Sequence, residues 1–456
     1  MNHPISGSFR DPSGFLFQQD GHLYRQVNCY YKNNYQHLME SGLYDSLVKA
    51  ELLIPHIEVD VQAAKSDLAY KIIKPEIVPF VSYPYEWSFS QLKDAALTTL
   101  EIQKKALDFG MSLKDCSAYN IQFKDSKPIF IDTLSFETYE EGKPWVAYRQ
   151  CCQHFLAPLA LMVYRDVRLS QLFRVFIDGI PLDLASSLLP FNTHFIFSLF
   201  SHIHLHAKSQ KYFSGKTTNI RSRKMNLLSF LGLIDNLETA IKKLKWRPVG
   251  TEWGNYYKDT NYPPDALSHK KAVVSDLLDE VHPGLLWDLG ANIGVFSSIA
   301  SAKGIQTISF DIDPAAVEIN YLRCTERGET KILPLLLDLT NPSSNIGWGN
   351  TERMSFLERG PSDVVLALAL IHHLVISNNL PMEKIADFFS KICNMLIIEF
   401  IPKSDSQVQK LLATRKDIFS DYLQPAFEKE FKKYFKILKL IEIRDSERIL
   451  YLMQKT

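Results

Sequence analysis

Between residues 285 and 399 short apolar runs alternate with segments of helical spacing, and each run stops at a polar residue. Leu285-Leu-Trp287 stops at Asp288, and Gly304-Ile-Gln-Thr-Ile-Ser-Phe310 stops at Asp311. Lys331–Leu337 ends at Asp338, Asp363–Leu370 runs into Ile371-His372-His373-Leu374, and Met395–Ile398 ends at Glu399. Val295–Lys303 and Ala315–Arg327 carry helical spacing between the first three runs. Buried strands that alternate with helices predict a parallel sheet, with ligands at the carboxyl ends of its strands. Two further runs, Phe435–Ile443 and Arg448–Met453, are joined by Arg444-Asp-Ser-Glu447 and predict a closing hairpin.

Two glycines follow the first run. Gly290 suits a turn whose dihedrals a Cβ forbids, and Gly294 suits close approach of backbone and ligand at a helix start. Asp311 lies about 20 residues further on, at the tip of the next strand, where a ribose is held through its hydroxyls. A nicotinamide enzyme usually carries G-x-G-x-x-G, whereas this chain has Asp288-Leu-Gly290-Ala-Asn-Ile-Gly294.

That pattern, with Asp311-Ile-Asp313-Pro314, the later Asp338 and the terminal hairpin, resembles the class I S-adenosylmethionine-dependent methyltransferases over residues 283–456. The resemblance implies a Rossmann-like seven-stranded sheet and S-adenosylmethionine as cofactor. It implies that Asp288, Gly290, Ala291, Asn292 and Gly294 line the methionine end, and that Asp311 holds the ribose with Ile312 beside the adenine. Asp338 and Leu339 would face the adenine edge, and Leu370 to His373 would form the floor towards the acceptor. Asp313 reads as a helix N-cap before Pro314.

His372 and His373 are the catalytic candidates, because methyl transfer to oxygen or nitrogen often needs a base and neutral histidine suits that near pH 7. One of the two equally suits a hydrogen-bonded structural role. Arg353, in Gly347-Trp-Gly-Asn-Thr-Glu-Arg353, either binds an acceptor carboxylate or phosphate or decorates the surface. Glu399 is placed to reach the same cleft. Trp253, Tyr256, Tyr257 and Tyr262 precede the first strand and form either a lid over cofactor and acceptor or the packing of the lead-in helix.

The front half reads differently. Pro12–Phe17 and His22–Val27 flank Gln18-Gln-Asp-Gly21, a hairpin signal. Helical spacing covers Tyr31–Leu52 and Phe89–Phe109, and Glu76–Ser82 reads as a strand. Leu113-Lys-Asp115-Cys-Ser-Ala-Tyr-Asn120 and Lys127–Asp132 resemble the catalytic region of kinases, where Asp115 and Asn120 match D-x-x-x-x-N and Asp132 matches the second metal-binding Asp. The resemblance implies an α+β kinase-like domain with ATP and magnesium as its ligands. The hairpin turn is not glycine-rich, no strand lysine stands out, Leu113 takes the place of a histidine, and Thr133-Leu134 replace Phe-Gly.

The chain has 456 residues and no net charge, so composition points to no nucleic acid and no anionic membrane. Its six cysteines lack a C-x-x-C and suit reduced thiols rather than zinc. Phe155–Tyr164 and Phe195–Phe200 are far shorter than a membrane span, and no signal peptide is expected from the first residues. A cytoplasmic protein is expected. His202, His204 and His206 alternate, but without a neighbouring cysteine or carboxylate they suit core or surface roles rather than metal. Lys208, Lys211, Lys216, Arg221, Arg223 and Lys224 mark a solvated linker, and Leu227–Trp246 an amphipathic helix. The chain thus divides into a kinase-like domain (1–206), a linker with lead-in or lid helices (207–282) and a methyltransferase domain (283–456).

Trp253–Lys270, Ala367-Leu-Ala-Leu-Ile-His-His-Leu374 and Glu399-Phe-Ile-Pro-Lys403 give the whole chain a resemblance to the NoeA-like family of bacterial methyltransferases. It implies a methyl transfer to oxygen or nitrogen of a small-molecule or glycan-type acceptor.

Overall fold

Asp20 and Gly21 both adopt left-handed backbone, with φ of 50° and 77°, and so close the expected hairpin. They join β2 (Gly14–Gln19) to β3 (His22–Asn28), after a two-residue β1 (His3–Pro4). The structure is a computed structural model that describes residues 3–207, 225–248, 264–413 and 415–456. It comprises two units, Met1–Arg247 with Asn345–Arg353, and Pro248–Ser344 with Met354–Thr456.

In the first unit β1, β2 and β3 join β4 (His56–Glu58) and β5 (Ala69–Pro75) in an antiparallel sheet of order β1-β2-β3-β5-β4. Alternation along the strands covers both faces. Phe15, Phe17, Tyr24 and Ile72 pack on one side, and Val27 and Ile73 pack with Tyr31, Tyr35 and Leu134 on the other. The helix expected over Tyr31–Leu52 is two helices, α1 (Lys32–Glu40) and α2 (Leu43–Lys49), because the chain turns through Gly42 at φ 84°. The strand expected at Glu76–Ser82 is irregular, and the true strand β5 ends at Pro75. Pro75 and Pro79 supply no N–H to a ladder there.

α3 (Phe89–Asp108) starts with a capping box in which Ser88 and Gln91 satisfy each other's backbone N–H groups. It leads to β6 (Met111–Leu113), the hairpin β7 (Ile121–Lys124) and β8 (Lys127–Phe130), and β9 (Phe136–Thr138), which pairs with β6. Short helical turns follow between residues 148 and 204. α4 (Leu227–Lys243) covers the helix that the sequence placed in a lead-in segment, and it belongs to this unit. Lys104 of α3 pairs with Asp235 and Glu238 at 2.6 Å each.

The second unit begins with α5 (Pro264–Val281) and β10 (Leu285–Leu289). α6 (Val295–Ala302), β11 (Gln306–Asp311), α7 (Pro314–Arg327), β12 (Ile332–Leu336) and β13 (Ser362–Ala367) follow in alternation. α8 (Met382–Ile392) precedes β14 (Cys393–Phe400), and β15 (Phe435–Glu442) and β16 (Ile449–Lys455) end the unit. The sheet order is β12-β11-β10-β13-β14-β16-β15, with β10 to β14 parallel and β16 antiparallel to its neighbours. This is the Rossmann-like seven-stranded sheet expected of the methyltransferase fold. Its parallel strands are buried almost throughout, which is why they read as unbroken apolar runs. Among the described residues no helix is long and apolar enough to cross a membrane.

Candidate functional site

The turn after β10 is pinned to the next strand. Gly290 and Ala291 each donate their backbone N–H to the Phe310 carbonyl at 2.9 Å. Asn292, left-handed at φ 53°, donates its own to Asp311 Oδ2 at 2.7 Å. Gly290 has φ 74°, and a Cβ there would stand 3.3 Å from Leu370 Cδ1. Gly294 is the left-handed cap of α6, and a Cβ would lie 2.4 Å from Asn320 Oδ1. Both positions therefore need glycine.

Above this turn, at the carboxyl ends of β10 to β13, lies a cavity of about 310 Å³. That size suits a small-molecule ligand. Asp288, Asp311 and Asp338, from three successive strand ends, line it together with Gly290, Ala291 and Asn292. Ile312 and Leu339 line it too, and Ile312 is 59% exposed, which leaves an apolar rim facing solvent. Leu368, Ala369, Leu370 and His373 close the side that follows β13.

The carboxylates are held by directed donors. Ser297 Oγ donates to Asp288 Oδ2 at 2.6 Å, and Asp313 N donates to Asp311 Oδ1 at 2.9 Å. Asp313 caps α7 by accepting from Ala315 N, as its place before Pro314 predicts. Thr340 donates both N–H and Oγ1 to Asp338 Oδ1, at 2.8 and 2.7 Å. Burial pushes the Asp288 carboxyl up to about 6, and the nearby Asp311 adds to it. Burial likewise pushes Asp311 up to about 6. A cavity walled by carboxylates that pay for their burial favours a cationic ligand.

The histidine pair divides. His373 faces the cavity, and burial lowers its imidazole to about 4, so it is neutral near pH 7. His372 does not line the cavity. It is 3% exposed, burial drives its imidazole well below the usual value, and its Nδ1 has no hydrogen-bond partner. The two rings lie 4.1 Å apart.

No family model matches the chain. Nodulation protein NoeA of Rhizobium meliloti (strain 1021) is 34% identical over 99% of this chain and 96% of its own length. The chain belongs to the NoeA family. Solved structures similar to this NoeA-family chain include magnesium protoporphyrin IX methyltransferase (ChlM) from Synechocystis PCC 6803 with bound SAH. It is 17% identical, covers 45% of this chain and 93% of its own, and has a TM-score of 0.32. N-methyltransferase NodS from Bradyrhizobium japonicum WM9 is 12% identical, over 42% of this chain and 97% of its own, with a TM-score of 0.31. An S-adenosylmethionine-dependent methyltransferase from Clostridium acetobutylicum ATCC 824 is 14% identical, over 44% and 95%, with a TM-score of 0.32.

Three expected residues of the NoeA-family chain stand elsewhere. Gly294 shapes the turn without lining the cavity. Arg353 belongs to the first unit, where its guanidinium lies 4.4 Å from the centre of the Tyr119 ring. Next to it Glu352 is gripped by Arg10 at 2.8 Å, so this segment has a packing role that sequence alone does not reveal. Glu399 is fully buried behind the wall instead of in the cleft, and pairs with Lys270 at 2.7 Å. Lys270 itself lines the cavity, a site role that the sequence pattern does not signal. Trp253, Tyr256, Tyr257, Tyr262 and the basic stretch 208–224 lie outside the described residues.

In the first unit Asp115 and Asn120 stand in the loop between β6 and β7, and Asp132 follows β8. Asp132 Oδ1 pairs with Arg25 Nη1 at 2.5 Å and accepts from Leu134 N, while Oδ2 accepts from Ser135 Oγ. Burial alone would raise this carboxyl, but Arg25 and these donors outweigh it and hold it below its ordinary value. Asp115 is raised by burial and by Asp132, and accepts from Ser117 N and Gln150 Nε2. His202 bonds Tyr148 and Asn236, and His204 bonds Ser186 and Thr193, so both are tied into the packing.

Proposed function

We propose that the second unit is an S-adenosylmethionine-dependent methyltransferase that acts on oxygen or nitrogen of a small-molecule or glycan-type acceptor. The observation that carries this reading is the row of three carboxylates on successive parallel strand ends in one cavity, beside a glycine turn and a neutral histidine. The residues fit the cofactor. Asp311, fixed by Asn292 and Asp313, keeps lone pairs for two ribose hydroxyls, and Ile312 and Leu339 offer apolar faces to a purine. Asp288 and the backbone of Gly290 to Asn292 suit the cationic tail.

The cofactor supplies a methyl group on a sulfonium, and the chain's task is alignment and proton handling. Leu368, Leu370 and Leu374 exclude water where the acceptor would meet that methyl. His373 accepts the acceptor's proton or holds its hydrogen bond, because its imidazole is neutral near pH 7. Ser377 and Asn378, on the same wall, give hydroxyl or amide partners to a polar acceptor such as a glycan. Titration calorimetry with S-adenosylmethionine tests the cofactor. Saturable binding is expected, and Gly290→Arg, crowded by Leu370, should abolish it; absence of wild-type binding sinks the reading.

The second reading gives the first unit a kinase-like fold. It is supported by the five-stranded sheet with α1 and α2 between β3 and β4, and by Asp115, Asn120 and Asp132 in D-x-x-x-x-N…D order. Kinases place a lysine on the third strand. Here Arg25 on β3 takes that place and closes on Asp132, both of whose oxygens are engaged. Arg25 competes with a metal ion for this carboxylate, so the unit is read as kinase-like without phosphoryl transfer. ATP with magnesium should leave its thermal stability unchanged; a shift abolished by Asp132→Ala would instead make the chain a bifunctional kinase and methyltransferase.

A further inference from the structure

The cavity wall is unbalanced in charge. Its described lining carries three carboxylates but a single lysine, Lys270 of α5. S-adenosylmethionine carries a sulfonium and an ammonium, which the carboxylates suit, and also one carboxylate of its own. That anion, brought among Asp288, Asp311 and Asp338, needs a cation beside it.

We propose that Lys270 receives the carboxylate of the cofactor's methionine tail, with Glu399 as the positioning residue behind it. The inference rests on the cofactor reading above and names a residue for which that reading has no role. Lys270 Nζ lies 5.0 Å from the centre of the Phe296 ring, and Phe296 is on α6, the helix that follows the glycine turn. Lys270 also acts electrostatically on Asp288 at the end of β10. These neighbours put the ammonium at the turn end of the cavity, across the sheet from Asp338 and Leu339, which mark the adenine side.

Glu399 fixes the ammonium and opposes the burial that lowers its titration. Its Oε2 accepts from Lys270 Nζ at 2.7 Å and from Ala369 N at 2.7 Å. Ala369 is left-handed at φ 51°, so the backbone of the cavity wall is bent to meet the same oxygen. The Lys270 and Glu399 side chains are 3% and 0% exposed. A lysine this deep holds its charge only beside an anion, and Glu399 in turn faces two buried cations, Lys270 and, at 3.9 Å, Arg448. An ammonium has three donors, so one lysine can serve Glu399 and a ligand carboxylate together.

The test compares S-adenosylmethionine with decarboxylated S-adenosylmethionine, which keeps both cations and the nucleoside, by titration calorimetry on the full chain. The wild type should prefer the carboxylated ligand by about ten- to a hundredfold. Lys270→Met alone leaves Glu399 buried with only Arg448, 3.9 Å away, as a cation, so the variant to use is Lys270→Met with Glu399→Gln, which removes the ion pair, leaves Arg448 with its Asp405 partner and keeps an acceptor for Ala369 N–H. It should bind the two ligands about equally. Glu399→Gln alone leaves the buried ammonium without its anion and should lower the melting temperature, and it should also lower the preference for the carboxylated ligand several-fold, a selectivity change that a purely structural role would not produce. Retention of the wild-type preference in the double variant overturns the proposal. Equal wild-type affinity for both ligands also overturns it while leaving the cofactor reading intact, whereas no binding of either removes the cofactor reading and the proposal together.

Discussion

The Asp311 carboxylate accepts the backbone N–H of Asn292 at 2.7 Å, and so one side chain both ends β11 and holds the turn that follows β10. Its other oxygen accepts from Asp313 N, which sets the start of α7. Removing this carboxylate therefore does two things at once. Asp311→Ala leaves two buried N–H groups without an acceptor, each costing about 1–3 kcal/mol, and takes away the proposed ribose partner. S-adenosylmethionine affinity should fall by about a hundredfold or more, while Asp311→Asn, which keeps one acceptor oxygen, should lose less. Calorimetry on the two variants checks the order.

The raised carboxyls give a pH dependence with a definite sign. Asp288 and Asp311 titrate near 6 in the free protein, above the ordinary aspartate value, because burial disfavours their charge. The folded state then binds more protons than the unfolded state between about pH 4 and 6, so these two groups lower folding stability as pH rises through that window. A cationic ligand reverses the penalty only when the carboxyls are ionised. Binding below pH 6 must expel a proton from each carboxyl it needs, and affinity should drop about tenfold per such carboxyl between pH 7 and 5. His373, neutral down to about 4, does not set this limb. Thermal shifts with S-adenosylmethionine at pH 5, 6 and 7.5 measure it, and equal shifts at all three would contradict the carboxylate assignment.

The sheet was legible because fully buried parallel strands leave a plain signature, an apolar run that stops at a polar residue at the strand's carboxyl end. Asp288, Asp311 and Asp338 were found that way. β5 was not, since Lys71 and Lys74 interrupt its apolar residues and the prolines after it mimic a strand boundary in the wrong place. The Lys270–Glu399 pair had no sequence signal, because 129 residues separate the partners. For Arg353 the loop sequence left acceptor binding and surface decoration equally open, and only the ring of Tyr119 shows that it packs within the first unit.

Arg25 and Asp132 carry a prediction for the first unit alone. The Asp132 carboxyl is held below its ordinary value, so the stability it contributes is present above about pH 4 and is lost as pH falls through the lowered value. Their side chains are 12% and 14% exposed. Arg25→Met strands a buried carboxylate and should cost about 3 kcal/mol near pH 7. Asp132→Asn with Arg25→Met removes both charges and should recover much of it. Hydrogen exchange read on β3 and on residues 132–135 reports this unit without requiring the whole chain to unfold in one step.

His372 and His373 are adjacent in sequence but not equivalent in the fold, and substitutions should separate them. His372 Nδ1 already lacks a partner, so His372→Phe gives up no hydrogen bond at that atom and keeps an aromatic ring against His373. It should preserve cofactor affinity and most of the methyl transfer. His373 lines the cavity beside Leu370, on the proposed acceptor side, so His373→Ala should also leave cofactor affinity within a few-fold of wild type. Loss of a proton acceptor lowers rates by about 10²–10⁴, and transfer should therefore fall by at least a hundredfold in this variant. The measurement is incorporation of label from methyl-labelled S-adenosylmethionine into a bacterial metabolite extract, resolved by mass spectrometry, which detects the methylated product whatever the acceptor is. A large loss in His372→Phe with none in His373→Ala would move the catalytic role to the buried ring and require the wall beside Ala369 to open during turnover.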